Sequence, residues 1–261
     1  MDASAAARDA GFPHLPDVGV RGSGTGRGPQ DANQEARADV GPRDAGTACV
    51  PVATTAVPLG DGGSCAVPDA SCYPQPVPPA ALAWVPPVTP SPQCTEAELD
   101  AIGSGSVSTL SEMCAACVET ETTFSRYGAQ VDFPQVTFVG YGFANVAGCV
   151  ATLEPCNLPC ATLLLQVDLC TSEACLPSCD PTSPTTYTAM LPCLASAQSG
   201  CPCGAIVAAA DECFNEIVQR QSPAAACLPA TTLGETQEQA YTAELEAVAR
   251  VLCGVRSADG G

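Results

Sequence analysis

The chain has 261 residues and 18 cysteines, 25 prolines, 23 glycines, no lysine and one histidine, His14; its formal charge is −19. A field this negative repels phosphate backbones, which excludes nucleic acid as a partner, and no apolar run is long enough for a membrane span. With no lysine and a single imidazole most nucleophile–base pairs cannot be built, so a non-catalytic protein without a cofactor is expected.

Residues 1–48 are Ala, Asp, Gly, Arg and Pro in no period, and such a stretch buries too little apolar surface to offset its ordering entropy. It is expected to be a disordered stalk, and it contains His14. Met1-Asp2-Ala3-Ser4 has neither the basic nor the apolar region of a secretory signal, so the reading is a mature exported form with its signal removed. Residues 49–93 are Pro-rich, as in Pro74-Gln75-Pro76-Val77-Pro78-Pro79, and carry Cys49, Cys65 and Cys72. Extended segments of this kind make no ladder, so covalent staples must hold them.

Residues 94–254 read as a helical, cysteine-rich domain, followed by a disordered tail at 255–261. Thr95 with Glu98 and Thr236 with Gln239 form capping boxes. In 108–121, Leu110, Met113, Cys114, Cys117 and Val118 recur at steps of three and four, one face of a helix. The stretch 131–139 alternates with period two, a short edge strand or extended loop, because Pro134 lacks a donor. Weaker helices fit 143–154, 158–169, 172–179 and 185–199. In 204–220, Ile206, Val207, Ala210, Cys213, Phe214, Ile217 and Val218 share one side, opposite Glu212, Asn215, Glu216 and Gln219. Tyr241, Leu245, Val248 and Leu252 form a last stripe, closed by Gly254. The expected fold class is mostly α: a disulfide-stapled domain of six to seven short helices with a wrapped Pro-rich segment.

Cysteine in this number points to an oxidising compartment, where thiols pair, and the even count permits complete pairing. Cys156 and Cys160 form one Cys-x3-Cys pair, and Cys175 and Cys179 a second. Residues four apart share a helix face, so two such helices joined by a turn can zip antiparallel. That arrangement predicts the bonds Cys156–Cys179 and Cys160–Cys175, with Asn157 and Thr171 as caps. The layout resembles the twin Cx3C α-hairpin of small mitochondrial intermembrane-space chaperones and plant defence peptides, over about 24 residues; Cys170, Pro155, Pro159 and Pro177 depart from it. Parity adds a second expectation. Three cysteines lie in 49–93 and the remainder, from Cys94 through Cys149, Cys193, Cys201, Cys203, Cys213, Cys227 and Cys253, lie beyond. At least one bridge must then join the two parts.

Several motifs compete for function. Cys114-Ala115-Ala116-Cys117 has redox spacing, but it lies on the apolar face of a helix with no βαβ unit around it, which favours structural bridging. The same pair, with Cys149 further on, resembles the start of saposin-like lipid-binding domains. Cys201-Pro202-Cys203 and the Cys-x3-Cys pairs suit a Cu(I) thiolate store. Glu119 with Glu121, and Asp211 with Glu212 and Glu216, are paired carboxylates of the kind used in glycosidic chemistry. The plainer reading is a solvated acidic face. The aromatic run Phe124, Tyr127, Phe133, Phe138, Tyr141 and Phe143 is either core or a groove for a glycan, lipid or peptide, with Gly140-Tyr141-Gly142 giving backbone access. The leading expectation is an exported cell-surface or appendage structural/interaction protein, with a protein or glycan as partner. The Cu(I) store and the saposin-like domain are the alternatives.

Overall fold

The computed structural model describes residues 49–54, 72–134, 136, 142–179, 181–228 and 237–256. The expected stalk at 1–48, most of the tail, and Cys65, Phe138, Tyr141 and Thr236 lie outside them.

Among the described residues seven helices and a small sheet make a mostly α, disulfide-rich domain. The first helix, α1 (Glu96–Gly103), starts at the predicted capping box: Thr95 N–H donates to Glu98 Oε2 at 2.7 Å, and Glu98 N–H to Thr95 Oγ1 at 3.3 Å. The other Glu98 oxygen accepts from Ser111 N–H at 2.7 Å. Ser111 in turn caps α2 (Glu112–Val118), so one carboxylate fixes two helix starts. Partial burial pushes the Glu98 carboxyl up, but the bonds from Ser111 and Thr95 outweigh it and hold the pKa at about 2.

Beyond α2 lie β1 (Glu119–Glu121), β2 (Gln130–Asp132) and β3 (Gly142–Ala144). β2 pairs parallel with β1 and antiparallel with β3. It is thus the central strand, where an edge was expected. The strand ends before Pro134, so the missing donor never enters the ladder. Asn145 caps α3 (Val146–Leu153), its Oδ1 accepting from Gly148 N–H while Nδ2 donates to the carbonyls of Tyr127 and Gly128.

The hub is α4 (Leu158–Cys175), which packs against α3, α5 (Pro184–Ser199) and α6 (Gly204–Gln219). It is buried on nearly all sides, from Cys160 and Ala161 through Leu163, Leu164, Leu165 and Val167 to Cys175. A helix apolar all round is a core helix. This overturns the twin Cx3C hairpin. One unbroken helix puts Cys160 and Cys175 about 22 Å apart along its axis, which no disulfide spans. Thr171, expected to cap a second helix, donates from its hydroxyl to the Val167 carbonyl inside the first.

All five cysteines on and beside α4 bond outward instead. Cys160 bonds Cys213 of α6, Cys175 bonds Cys193 of α5, and Cys170 bonds Cys203 at the start of α6. Flanking the helix, Cys156 bonds Cys49 and Cys179 bonds Cys72. The Pro-rich part is therefore joined covalently to the helical part, as parity required. Main-chain and side-chain bonds follow the same course: Val52 N–H to Asn157 Oδ1, Gln75 N–H to the Ala174 carbonyl, Gln166 Nε2 to the Leu82 carbonyl.

The last helix, α7 (Gln237–Leu252), packs on α1 and α3 and ends before Gly254, whose φ of +56° is the left-handed conformation glycine takes at a helix C-terminus. Arg250 ties α7 to α1 through Glu96 and Asp100, with Glu246 on its own helix. The sides of the domain are closed by Cys94–Cys114, Cys117–Cys253 and Cys149–Cys227. Cys201 is disulfide-bonded too, and no described cysteine is free. Among the described residues no single helix is long and apolar enough to cross a membrane.

Candidate functional site

One stripe of α4 does not meet another helix squarely. Leu164, Val167, Asp168, Thr171 and Ser172 line a cleft there, at the three- and four-residue steps that put them on one face. The opposite wall is Tyr241 and Glu244, one turn apart on α7. Gly142, Phe143 and Ala144 of β3, Val146 of α3, Gln198 of α5, Phe214 of α6 and Leu228 complete the lining. The cavity is about 60 Å³, room for a few water-sized groups.

Its polar content is acidic. Asp168 and Glu244 come from different helices, each packed among protein atoms but keeping some exposure to the cleft. Burial, and then the neighbouring Glu244 charge, pushes the Asp168 carboxyl well above the usual carboxylate range. Burial alone lifts Glu244 to about 7. The Tyr241 phenol is raised by burial and then by Asp132, Glu244, Asp168 and Tyr187. Behind Gly142 lies Asp132, lifted to about 6 by burial against a lowering bond from Gln130, with Glu119 and Glu121 raising it further. Gly142 belongs here for a steric reason: a Cβ would sit 2.3 Å from Asp132 Oδ1 and 2.6 Å from the Val131 carbonyl oxygen.

Neither Asp168 nor Glu244 accepts a hydrogen bond from a described side chain or backbone group. The described arginines are engaged elsewhere: Arg126 on the Pro87 carbonyl, Arg220 on Glu216, Arg250 on three carboxylates, Arg256 on the Met113 sulfur. The arrangement holds protons near neutrality, and it can turn negative when an entering group favours the carboxylate form.

The aromatic run divides among several environments. Phe143 lines the cleft, and Phe133 stands behind it with ring centroids 6.0 Å apart and planes tilted by 53°. Tyr127 is buried, its hydroxyl donating to the Thr122 carbonyl, and Phe124 is half exposed. Phe138 and Tyr141 lie outside the described residues. Of the acidic pairs, Glu119 and Glu121 are exposed on β1 beside Asp132, Glu212 is exposed on α6, and Glu216 pairs with Arg220. None of these lines the cleft. The described cysteines are all in bridges; Cys72, Cys179 and Cys193 have sulfurs within 4.8 Å of one another, where the bridges Cys72–Cys179 and Cys175–Cys193 pack side by side.

Asp168, Tyr241, Glu244, Gln198 and Phe214 are the cleft residues that motif reading passed over. A signal was present. Glu244 lies between Tyr241 and Val248 on the inward stripe of α7, and Asp168 follows Leu164 on a buried helix; a carboxylate on an apolar face is a marked position.

Comparison with family models, curated proteins and solved structures gave no match to this chain. The class that the fold and cleft define is a mostly α, disulfide-stapled domain with an acidic, apolar-walled cleft.

Proposed function

We propose that the chain is an exported, non-catalytic structural or interaction protein of a cell surface or appendage, which presents a disulfide-stapled domain to a protein or glycan partner. The observation that carries this reading is the complete oxidation of the described cysteines into bridges between sequence-distant elements, with separations of 107 residues for Cys49–Cys156 and Cys72–Cys179 and 136 for Cys117–Cys253. Disulfides in this number are typical of extracellular proteins. Each removes closure entropy from the unfolded chain, more for longer loops.

A thiolate copper store needs reduced sulfur, and the described residues offer none. A saposin-like lipid carrier needs space for an acyl chain, and the cleft holds only a few water-sized groups. Cys149, part of that resemblance, bonds Cys227, 78 residues further along the chain. The test is maleimide labelling of source-cell fractions before denaturation. The protein is expected outside the cytosol and unlabelled. Recovery from the cytosol, or labelling at most cysteines while folded, overturns the proposal.

A further inference from the structure

We infer that the cleft between α4, α6 and α7 is a receptor site for a primary ammonium group on a short apolar stem, with Asp168 and Glu244 as its counter-charges. The inference rests on the interaction-protein reading and names the ligand chemistry of its cleft.

Three observations point to that chemistry. First, two carboxyls from different helices face one small space with no hydrogen bond from a described group and no described basic side chain beside them, so burial keeps them protonated until a cation displaces the proton. The chain has no lysine, and the described arginines bind elsewhere. No described side chain supplies the cation. Second, the walls are Val146, Leu164, Phe143 and Phe214, with the Tyr241 ring beside Glu244. Aliphatic walls suit methylenes, and aromatic faces attract a cation through the ring quadrupole. Thr171 also lines the cleft, and its hydroxyl spends its hydrogen on the Val167 and Asp168 carbonyls, which leaves its oxygen able only to accept, matching an ammonium that only donates. Third, the competing ligands fit poorly. An anion meets two carboxyls and a chain of net charge −19. A hard divalent cation such as calcium takes six or more oxygens, and the described carboxylates bring no group of three together within ligating distance.

A free alkylamine and a lysine side chain of a partner protein share this chemistry. The test titrates the full, oxidised chain by calorimetry at pH 7.5 with n-butylammonium chloride and, separately, with an acetylated and amidated Ala-Lys-Ala peptide. Saturable binding of either supports the inference: of the amine alone, a small-molecule ligand; of the peptide, a partner's lysine. Asp168→Asn and Glu244→Gln should each weaken binding by about tenfold, the usual worth of a bond to a charged group, and Glu212→Gln on the exposed face of α6 should not. Should a variant fail to fold, the parent protein still decides. An ammonium seated between raised carboxyls expels protons, so binding in unbuffered solution must acidify it. The carboxyls that face this exchange are Asp168 on α4, Glu244 on α7 and Asp132 on β2, beside the Tyr241 phenol, which stays protonated. No saturation by either probe, or binding without proton release, overturns the inference. Maleimide labelling of the same sample separates the two failures: unlabelled protein that ignores both probes loses only the ammonium site, and labelled protein loses the disulfide reading itself.

Discussion

Replacing Glu244 by glutamine should make the protein more stable at alkaline pH. In the folded chain Glu244 keeps its proton up to about pH 7, against an ordinary 4.5, because burial disfavours the carboxylate. A carboxyl whose pKa is raised by folding contributes stability while protonated and loses it as pH climbs from the unfolded value through the folded one. Each pH unit in that window costs about 1.4 kcal/mol, so the native state gives up on the order of 3 kcal/mol between pH 4.5 and 7 on this group alone. Glu244→Gln keeps the shape and removes the titration. The variant should match the parent near pH 4.5 and exceed it by about 2–3 kcal/mol at pH 8. Guanidinium unfolding with disulfides intact, followed by the fluorescence of Trp84, the sole tryptophan and packed against the core, measures both curves. Asp168 and Asp132 titrate with the same sign, so the variant should keep part of the slope. A parent whose stability is flat or rising from pH 5 to 8, or a variant no more stable at pH 8, refutes the reasoning.

Glu98 should behave in the opposite sense. Its pKa of about 2 means that its contribution is present above pH 4.5 and fades as pH falls towards 2, so Glu98→Ala should cost about 1–2 kcal/mol at pH 6 and little at pH 2 in the same unfolding assay. Gly142→Ala should destabilise by about 1–3 kcal/mol, seen as a lowered melting temperature, because the new methyl meets the Asp132 carboxylate and the Val131 carbonyl; an unchanged melting temperature contradicts the β3 geometry. Pepsin digestion without reduction should yield Cys160 joined to Cys213 and Cys156 joined to Cys49; recovery of Cys160 joined to Cys175 would restore the hairpin.

The sequence was most readable where an element has one wet face. Ile206, Val207, Ala210, Cys213 and Ile217 stand out against Glu212 and Gln219, and α6 spans nearly the expected residues. Thr95 and Glu98 announce α1 because their bond is local, three residues apart. By contrast α4 has no wet face, so period alone could not tell one long helix from two short ones, and the paired cysteines invited a turn near Cys170. Parity required a bridge into the Pro-rich part, yet the choice of partners depends on which helices stand beside Cys160 and Cys175, a tertiary fact. The cleft was hidden for a related reason. Asp168 and Glu244 are far apart in sequence and each looks like a single acidic residue among many; only the packing of α7 across from α4 brings them to the same space.

The bridges around α4 also set how the chain responds to being stretched. Tension applied beyond Cys49 at one end and Cys253 at the other follows the shortest covalent route: across to Cys156, back along the backbone to Cys149, over to Cys227 and on to Cys253. The long helices α4, α5 and α6 hang off that route and stay shielded. The longest unbridged stretch of that route, from Cys227 to Cys253, holds α7 and with it Glu244, so extension there would draw Glu244 away from Asp168 until Cys117–Cys253 takes the load. A tug on the ends would therefore pry the acidic cleft apart while most of the domain kept its form, making grip on any occupant a function of force.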